Sequence, residues 1–285
     1  MNGETDPEEL RGRLLDSWDT SASGWRRRAG DLRASGMPVS AWMIDHLELQ
    51  PGELVVELAA GPGDTGFLAS ELVKPGGRLI CSDGSEQMLQ IARERAEQQG
   101  IDNVEFKQLQ LEWLDLDTAS ADAILCRWGV MLLVDPGAAL QECRRVLKPG
   151  GRLALAVWDL RVRNPWSLVP AEALQALGHG TPPDPSLPGP FSLSAPGRLN
   201  ALLEEAGFIE PLVEAVAIKR DSEDFESFLD EALDLSPTLG SAWAQLSDEQ
   251  QAALIAELQG RMAPYTAPDG SLSVPGSSLV AIAQA

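Results

Sequence analysis

Between residues 54 and 158, short and nearly continuous apolar runs alternate with longer stretches whose apolar positions recur every three or four residues. The first pattern belongs to strands buried on both faces, the second to amphipathic helices. It predicts strands at 54–58, 78–82, 104–109, 121–127 and 151–158, and helices at 65–73, 85–99 and 136–147. Ser85 is placed to cap the helix after the second strand, and Asp135 followed by Pro136 opens the helix at 136. Strand and helix alternating at these lengths imply an α/β fold with a parallel sheet and helices on both faces.

The flanks carry other patterns. Residues 10–47 read as helical, with Leu14, Leu15, Trp18, Trp25, Trp42, Ile44 and Leu47 at amphipathic spacing, and Gly36-Met-Pro38 is expected to divide them into two helices. The segment 178–190 is too rich in proline and glycine for regular structure, and such loops often serve as lids. A helix at 196–206 stops at Gly207 and a strand follows at 209–219. Helices near 222–234 and 247–261 precede a last apolar strand at 278–284, and no internal repeat is visible.

The most informative stretch is Val55-Val-Glu-Leu-Ala-Ala-Gly-Pro-Gly-Asp-Thr-Gly66, a strand that ends in a carboxylate and runs into three glycines. Glycine accepts positive φ and lets backbone N–H groups approach a ligand. The spacing of Gly61, Gly63 and Gly66 also fits a dinucleotide-binding turn, so a NAD-dependent dehydrogenase is one reading. A second strand ends on Asp83, where an acid can accept hydrogen bonds from both hydroxyls of a ribose. A third apolar segment, 121–126, runs into Arg127-Trp128-Gly129, and Arg145-Val-Leu-Lys-Pro-Gly-Gly151 turns from helix to strand.

As an ordered set, these residues resemble the class I S-adenosylmethionine-dependent methyltransferases of the type 11 group, which includes the ubiquinone/menaquinone C-methyltransferases and many small-molecule enzymes. The resemblance covers residues 50–160 closely and the flanks loosely. It implies a doubly wound, Rossmann-like sheet of seven strands, mostly parallel with an antiparallel last strand, plus helical cap insertions. The organisation it suggests is an N-terminal helical lid at 1–47, a cofactor-binding core at 48–160, a loop or lid insert at 161–195, core again at 196–220, a helical cap at 221–275 and the last strand at 276–285.

The resemblance also implies S-adenosylmethionine as methyl donor. Glu57 would then serve the amino group of its methionine moiety, directly or through water. Ala59, Gly61 and Gly63 would form the turn beside it, Asp83 and Gly84 would meet the ribose, and Met88 would pack on the adenine. Gln110-Leu111-Glu112 stands where the family usually has Asp-Ala-Glu; Gln110 could still accept from the adenine amino group, and Leu111 could donate its backbone N–H. Arg127 either borders the cofactor or the substrate pocket, or is a strand-end arginine paired to a helix carboxylate.

Methyl transfer from a sulfonium is an in-line displacement with an activated leaving group, so a dedicated catalytic residue is optional. His179 and Tyr265 are the weak candidates for a general base, and His46, in an apolar helical stretch, reads as structural. Eight tryptophans against one tyrosine incline the reading towards an aromatic or lipid-like acceptor. A non-catalytic S-adenosylmethionine-binding protein is the remaining alternative.

Composition narrows the partners. With 22 basic and 43 acidic residues the formal charge is −21, which repels nucleic acid and anionic membrane surfaces. Cys81, Cys126 and Cys143 have no paired spacing, so neither a disulfide framework nor a metal site is expected. The start of the chain is acidic where a secretory leader would be basic and then apolar, and no apolar run approaches the ~20 residues of a membrane span. A cytoplasmic protein acting on a small molecule is expected, with a homodimer left open.

Overall fold

A computed structural model describes residues 6–180 and 187–285. Residues 181–186 of the proline-rich segment 178–190, and the first five residues of the chain, lie outside that range. Two N-terminal helices, α1 (Pro7–Arg27) and α2 (Ala29–Leu47), lead into an alternating core. That core is β1 (Leu54–Leu58), α3 (Asp64–Leu72), β2 (Arg78–Asp83), α4 (Glu86–Gln99), β3 (Val104–Gln108), β4 (Ala121–Arg127), α5 (Pro136–Val146) and β5 (Leu147–Trp158). Then come α6 (Pro165–Ala176), α7 (Arg198–Glu205), β6 (Ile209–Ser222), α8 (Phe225–Leu235), α9 (Pro237–Trp243), α10 (Asp248–Met262) and β7 (Leu272–Gln284).

The seven strands form one sheet in the order β3-β2-β1-β4-β5-β7-β6. The first five run parallel, while β7 inserts antiparallel between β5 and β6, pairing Arg152 with Gln284 and Trp158 with Ser278 at the ends of the ladder. Val55, Val56, Ile124, Leu125, Leu153 and Leu155 are buried on strands that helices cover on both faces, which accounts for their unbroken apolar runs. The predicted caps are present: Ser85 Oγ accepts from the Met88 N–H at 3.2 Å, and Asp135 Oδ1 from the Ala138 N–H at 2.9 Å.

Several boundaries differ from expectation. The N-terminal break falls at Arg28, and α2 continues through Pro38. A proline in a helix interior costs about 3 kcal/mol, and the burial of Val39, Met43, Ile44 and Leu47 along α2 offsets it. Gly36 serves close packing instead: a Cβ there would lie 1.9 Å from Arg127 Nη1. Helices α6 and α9 replace expected loop; each begins with a proline at its first turn, a position that tolerates the missing N–H. Strand β7 starts at Leu272, earlier than the expected 278, because Leu272, Val274, Gly276 and Ser278 continue the buried alternation through Pro275. Lys148-Pro-Gly-Gly151 sits inside the β4–β5 ladder as an irregularity, with Gly150 at φ 78°.

A second apolar core, distinct from that of the sheet, gathers Val169 and Ala173 of α6, Phe228 of α8, Leu254 and Leu258 of α10, and Leu272. The three cysteines are free and buried. Among the described residues no helix is long and apolar enough to cross a membrane, and no cluster of metal-ligating side chains occurs.

Candidate functional site

The carboxyl ends of β1, β2 and β4 open into a cleft. Beyond β1 the chain turns through Ala59 (φ 49°), Gly61 (φ 52°) and Gly63 (φ 84°) into α3. A positive φ at Ala59 stores strain of the kind that collects at functional turns. At Gly63 a Cβ would meet the Phe67 ring at 2.5 Å, so that glycine serves packing at the start of α3.

Glu57 is buried at the end of β1, and its Oε1 accepts from the Gly66 N–H at 2.8 Å. Burial pushes its carboxyl up from the ordinary 4.5 to about 8; the Gly66 N–H and the Arg127 guanidinium oppose that rise. A Cβ on Gly66 would lie 2.2 Å from Glu57 Oε2, so the third glycine of the turn makes room for the acid. Asp83 accepts from the Gly61 N–H at 2.8 Å and the Ser85 N–H at 2.9 Å. Burial raises its carboxyl too, against the pull of those N–H groups.

Arg127 at the end of β4 is buried, with Nη2 3.4 Å from Asp64 Oδ2 and its guanidinium 4.6 Å from the Trp128 ring centroid. Desolvation lowers its pKa, opposed by Asp64 and Glu57. Asp64 also receives Arg95 Nη2 at 2.7 Å, and Arg95 Nη1 donates to the Pro62 carbonyl at 2.7 Å. Arg127 thus combines both expectations: it pairs with a helix carboxylate and it borders the cleft.

Ten of the eleven sequence-predicted cofactor residues line this one cleft: Glu57, Ala59, Gly61, Asp83, Gly84, Met88, Gln110, Leu111, Glu112 and Arg127; Gly63 does not. Both Glu112 oxygens are engaged, one by the Asp135 N–H at 2.5 Å and the other by Arg11. His179 and Tyr265 lie away from the cleft. The His179 backbone N–H donates to the Leu174 carbonyl at 2.8 Å, and Tyr265 packs against the second core.

The opposite wall comes from α1, which contributes Arg11, Leu14, Leu15, Trp18 and Trp25. The helices between β6 and β7, expected to roof the site, contribute none of the lining residues. Residues at i, i+3, i+4 and i+7 share one helix face, and reading Arg11, Leu14, Leu15, Trp18 and Trp25 as such a face was the signal available for this wall. Leu132, Leu133 and Val134, after β4, had no comparable signature. His46 is structural, as expected: its ring stacks on Trp42 at 3.8 Å and Nδ1 bonds the Trp42 carbonyl.

Comparison with known proteins gives the same picture. Residues 58–155 match the methyltransferase domain family called Methyltransf_11. The ubiquinone/menaquinone biosynthesis C-methyltransferase UbiE of Hahella chejuensis is 28% identical over 191 residues, covering 66% of this chain and 70% of that protein. The UbiE protein of Escherichia coli O1:K1 is 35% identical over 125 residues, 44% of this chain and 50% of that one. The aligned part of the chain spans about half the length of the UbiE proteins of Pasteurella multocida and Escherichia coli. In fold, the chain is similar to the YcgJ protein of Bacillus subtilis, at 21% identity and a TM-score of 0.54, covering 86% of this chain and 97% of that one. With its glycine turn, strand-tip acids and antiparallel seventh strand, the chain resembles the class I S-adenosylmethionine-dependent methyltransferases, and its residues 58–155 carry a methyltransferase domain of the type 11 group.

Proposed function

We propose that this protein transfers the methyl group of S-adenosylmethionine to a flat, apolar small molecule held beneath α1. One observation carries the reading: the carboxylates of Glu57 and Asp83 line the same cleft as an indole and leucine wall from Trp18, Trp25, Leu14 and Leu15. The two acids suit a cationic amino-acid nucleoside, and the wall suits an aromatic or lipid-like acceptor. The names of the UbiE relatives point to the same chemical class.

When bound, the cofactor supplies a sulfonium-activated methyl group. The chain's own contribution is alignment and exclusion of water. Glu57 would receive the ammonium, Asp83 the ribose hydroxyls, and Met88 and Leu111 the flanks of the adenine. Gln110 would accept from the adenine amino group. Orientation of this kind is worth up to ~7–11 kcal/mol in favourable cases, enough to make a dedicated base optional. The dehydrogenase reading loses ground to the sheet order, since the dinucleotide fold keeps its sixth strand parallel and beside the fifth.

Titration with S-adenosylhomocysteine, followed by incubation with S-adenosylmethionine and panels of phenols, quinols, long-chain amphiphiles and hydrophilic amines, tests the proposal. Saturable binding and a product heavier by one methylene from the apolar panels are expected. No binding would overturn the whole reading, and transfer confined to the hydrophilic amines would overturn the acceptor class.

A further inference from the structure

Methylation of a neutral hydroxyl needs a group that accepts its proton, and near neutrality histidine, cysteine, tyrosine and lysine are the side chains best suited to that work. The whole chain holds two histidines, one tyrosine, three cysteines and the lysines 74, 107, 148 and 219. None of them lines the cleft. His46 is engaged with Trp42, Tyr265 packs against the second core, and Cys81, Cys126 and Cys143 are buried elsewhere. Residues 1–5 and 181–186 contain none of these four types, so nothing outside the described residues changes the count.

The carboxylates that do line the cleft are taken. Glu57 accepts from the Gly66 N–H and Asp83 from the Gly61 and Ser85 N–H groups, while the two Glu112 oxygens are engaged by the Asp135 N–H and by Arg11. Arg11 and Arg127 stay protonated and cannot act as bases. The rest of the wall is largely apolar, with Leu14, Leu15, Trp18, Leu132, Leu133 and Val134. A neutral hydroxyl set against it finds no partner for its proton.

The charges suit an acceptor that arrives as an anion. Asp64 serves both Arg95 and Arg127, so this buried trio carries one net positive charge at the wall where Arg127 lines the cleft. Asp83 lies two strands away, at the tip of β2. A bound sulfonium adds a second positive charge, and exclusion of water strengthens its attraction for an oxyanion.

We infer that the acceptor is a flat ring bearing a hydroxyl that ionises by itself near neutrality, such as an electron-poor phenol, and that the protein methylates it as the oxyanion. The inference rests on the methyl-transfer reading above and narrows its acceptor. The proton leaves to solvent before transfer. An oxygen lone pair then forms the O–C bond, the S–C bond breaks with its electron pair passing to sulfur, and the products are a neutral methyl ether and a neutral thioether.

Initial rates at saturating S-adenosylmethionine, with 4-nitrophenol, 4-cyanophenol, 4-chlorophenol and phenol as acceptors, test this across neutral and alkaline pH. For each acceptor kcat/KM should rise about tenfold per pH unit and level off at that acceptor's own ionisation, so the plateau shifts upward along the series. At neutral pH phenol, which ionises near about 10, should be almost inert beside 4-nitrophenol. His179→Ala and Tyr265→Phe should leave every profile in place. A plateau at one pH shared by all acceptors, a profile flattened in either variant, or transfer to an aliphatic alcohol overturns the inference. Lack of transfer to the whole series by a protein that binds S-adenosylhomocysteine overturns it too and leaves the donor site intact. Failure to bind S-adenosylhomocysteine overturns the methyl-transfer reading itself.

Discussion

The acids at the strand tips take their hydrogen bonds from residues 2, 9 and 22 positions away in the chain, at Ser85, Gly66 and Gly61. The α1 wall is tied down over far greater separations: Asp19 to Ser85 across 66 positions, Arg26 to Glu94 across 68, Arg11 to Glu112 across 101 and Arg27 to Asp234 across 207. One half of the cleft is set by local turns on a rigid sheet. The other is an amphipathic helix latched from its surface. The contrast suggests a division of labour in which the sheet fixes the cofactor and the helix closes on it, since elements with fewer buried contacts open at lower free energy.

The sharpest test of the sheet half uses pH. Glu57 is held protonated at neutrality by burial, with its carboxyl near 8, and an ammonium ligand stabilises the ionised form. Binding should release a proton, and affinity for S-adenosylhomocysteine should rise by up to about tenfold per pH unit towards pH 8. The unliganded protein should move the opposite way: a carboxyl raised on folding contributes stability below its ordinary 4.5 that is lost as pH climbs through about 8. Glu57→Gln should flatten both profiles. Calorimetry in buffers of different ionisation enthalpy measures the proton directly, and a pH-independent affinity would detach Glu57 from the ligand.

A smaller effect is expected at the second strand tip. Asp83→Ala removes the acceptor shared by the Gly61 and Ser85 N–H groups together with the expected ribose contact. Affinity for S-adenosylhomocysteine should fall by about 1.5–3 kcal/mol through loss of charge-assisted hydrogen bonds. Unchanged affinity in a folded variant would put the ribose elsewhere.

The same contrast decides what could be read from the sequence. Strands, caps and the ten clustered residues were legible because each depends on neighbours within one strand–turn–helix unit: a glycine turn beside Glu57, a serine cap beside Asp83. The roof was not. Whether α1 or the later helices cover the cleft depends on pairs such as Arg11 with Glu112, which no local pattern announces. Pro38 misled for a related reason, since tertiary packing holds α2 through a residue that local propensity reads as a break.

The smallest expected effect bears on the helix half alone. Arg26 donates to Glu94 at 2.6 Å, but the two side chains are 52% and 38% exposed, so water and salt screen the pair and it adds little to stability. Arg26→Ala should therefore leave global melting almost unchanged. Amide hydrogen exchange across α1 should quicken by no more than about fivefold, with β1 and β2 unaffected. Raising salt should produce the same acceleration in the wild-type protein and little further change in the variant. If β1 amides quicken in step with α1, the helix and the sheet open as one unit and the proposed division of labour fails. If α1 alone responds, and S-adenosylhomocysteine then protects it, the ligand itself supplies the latch that the surface pairs only assist.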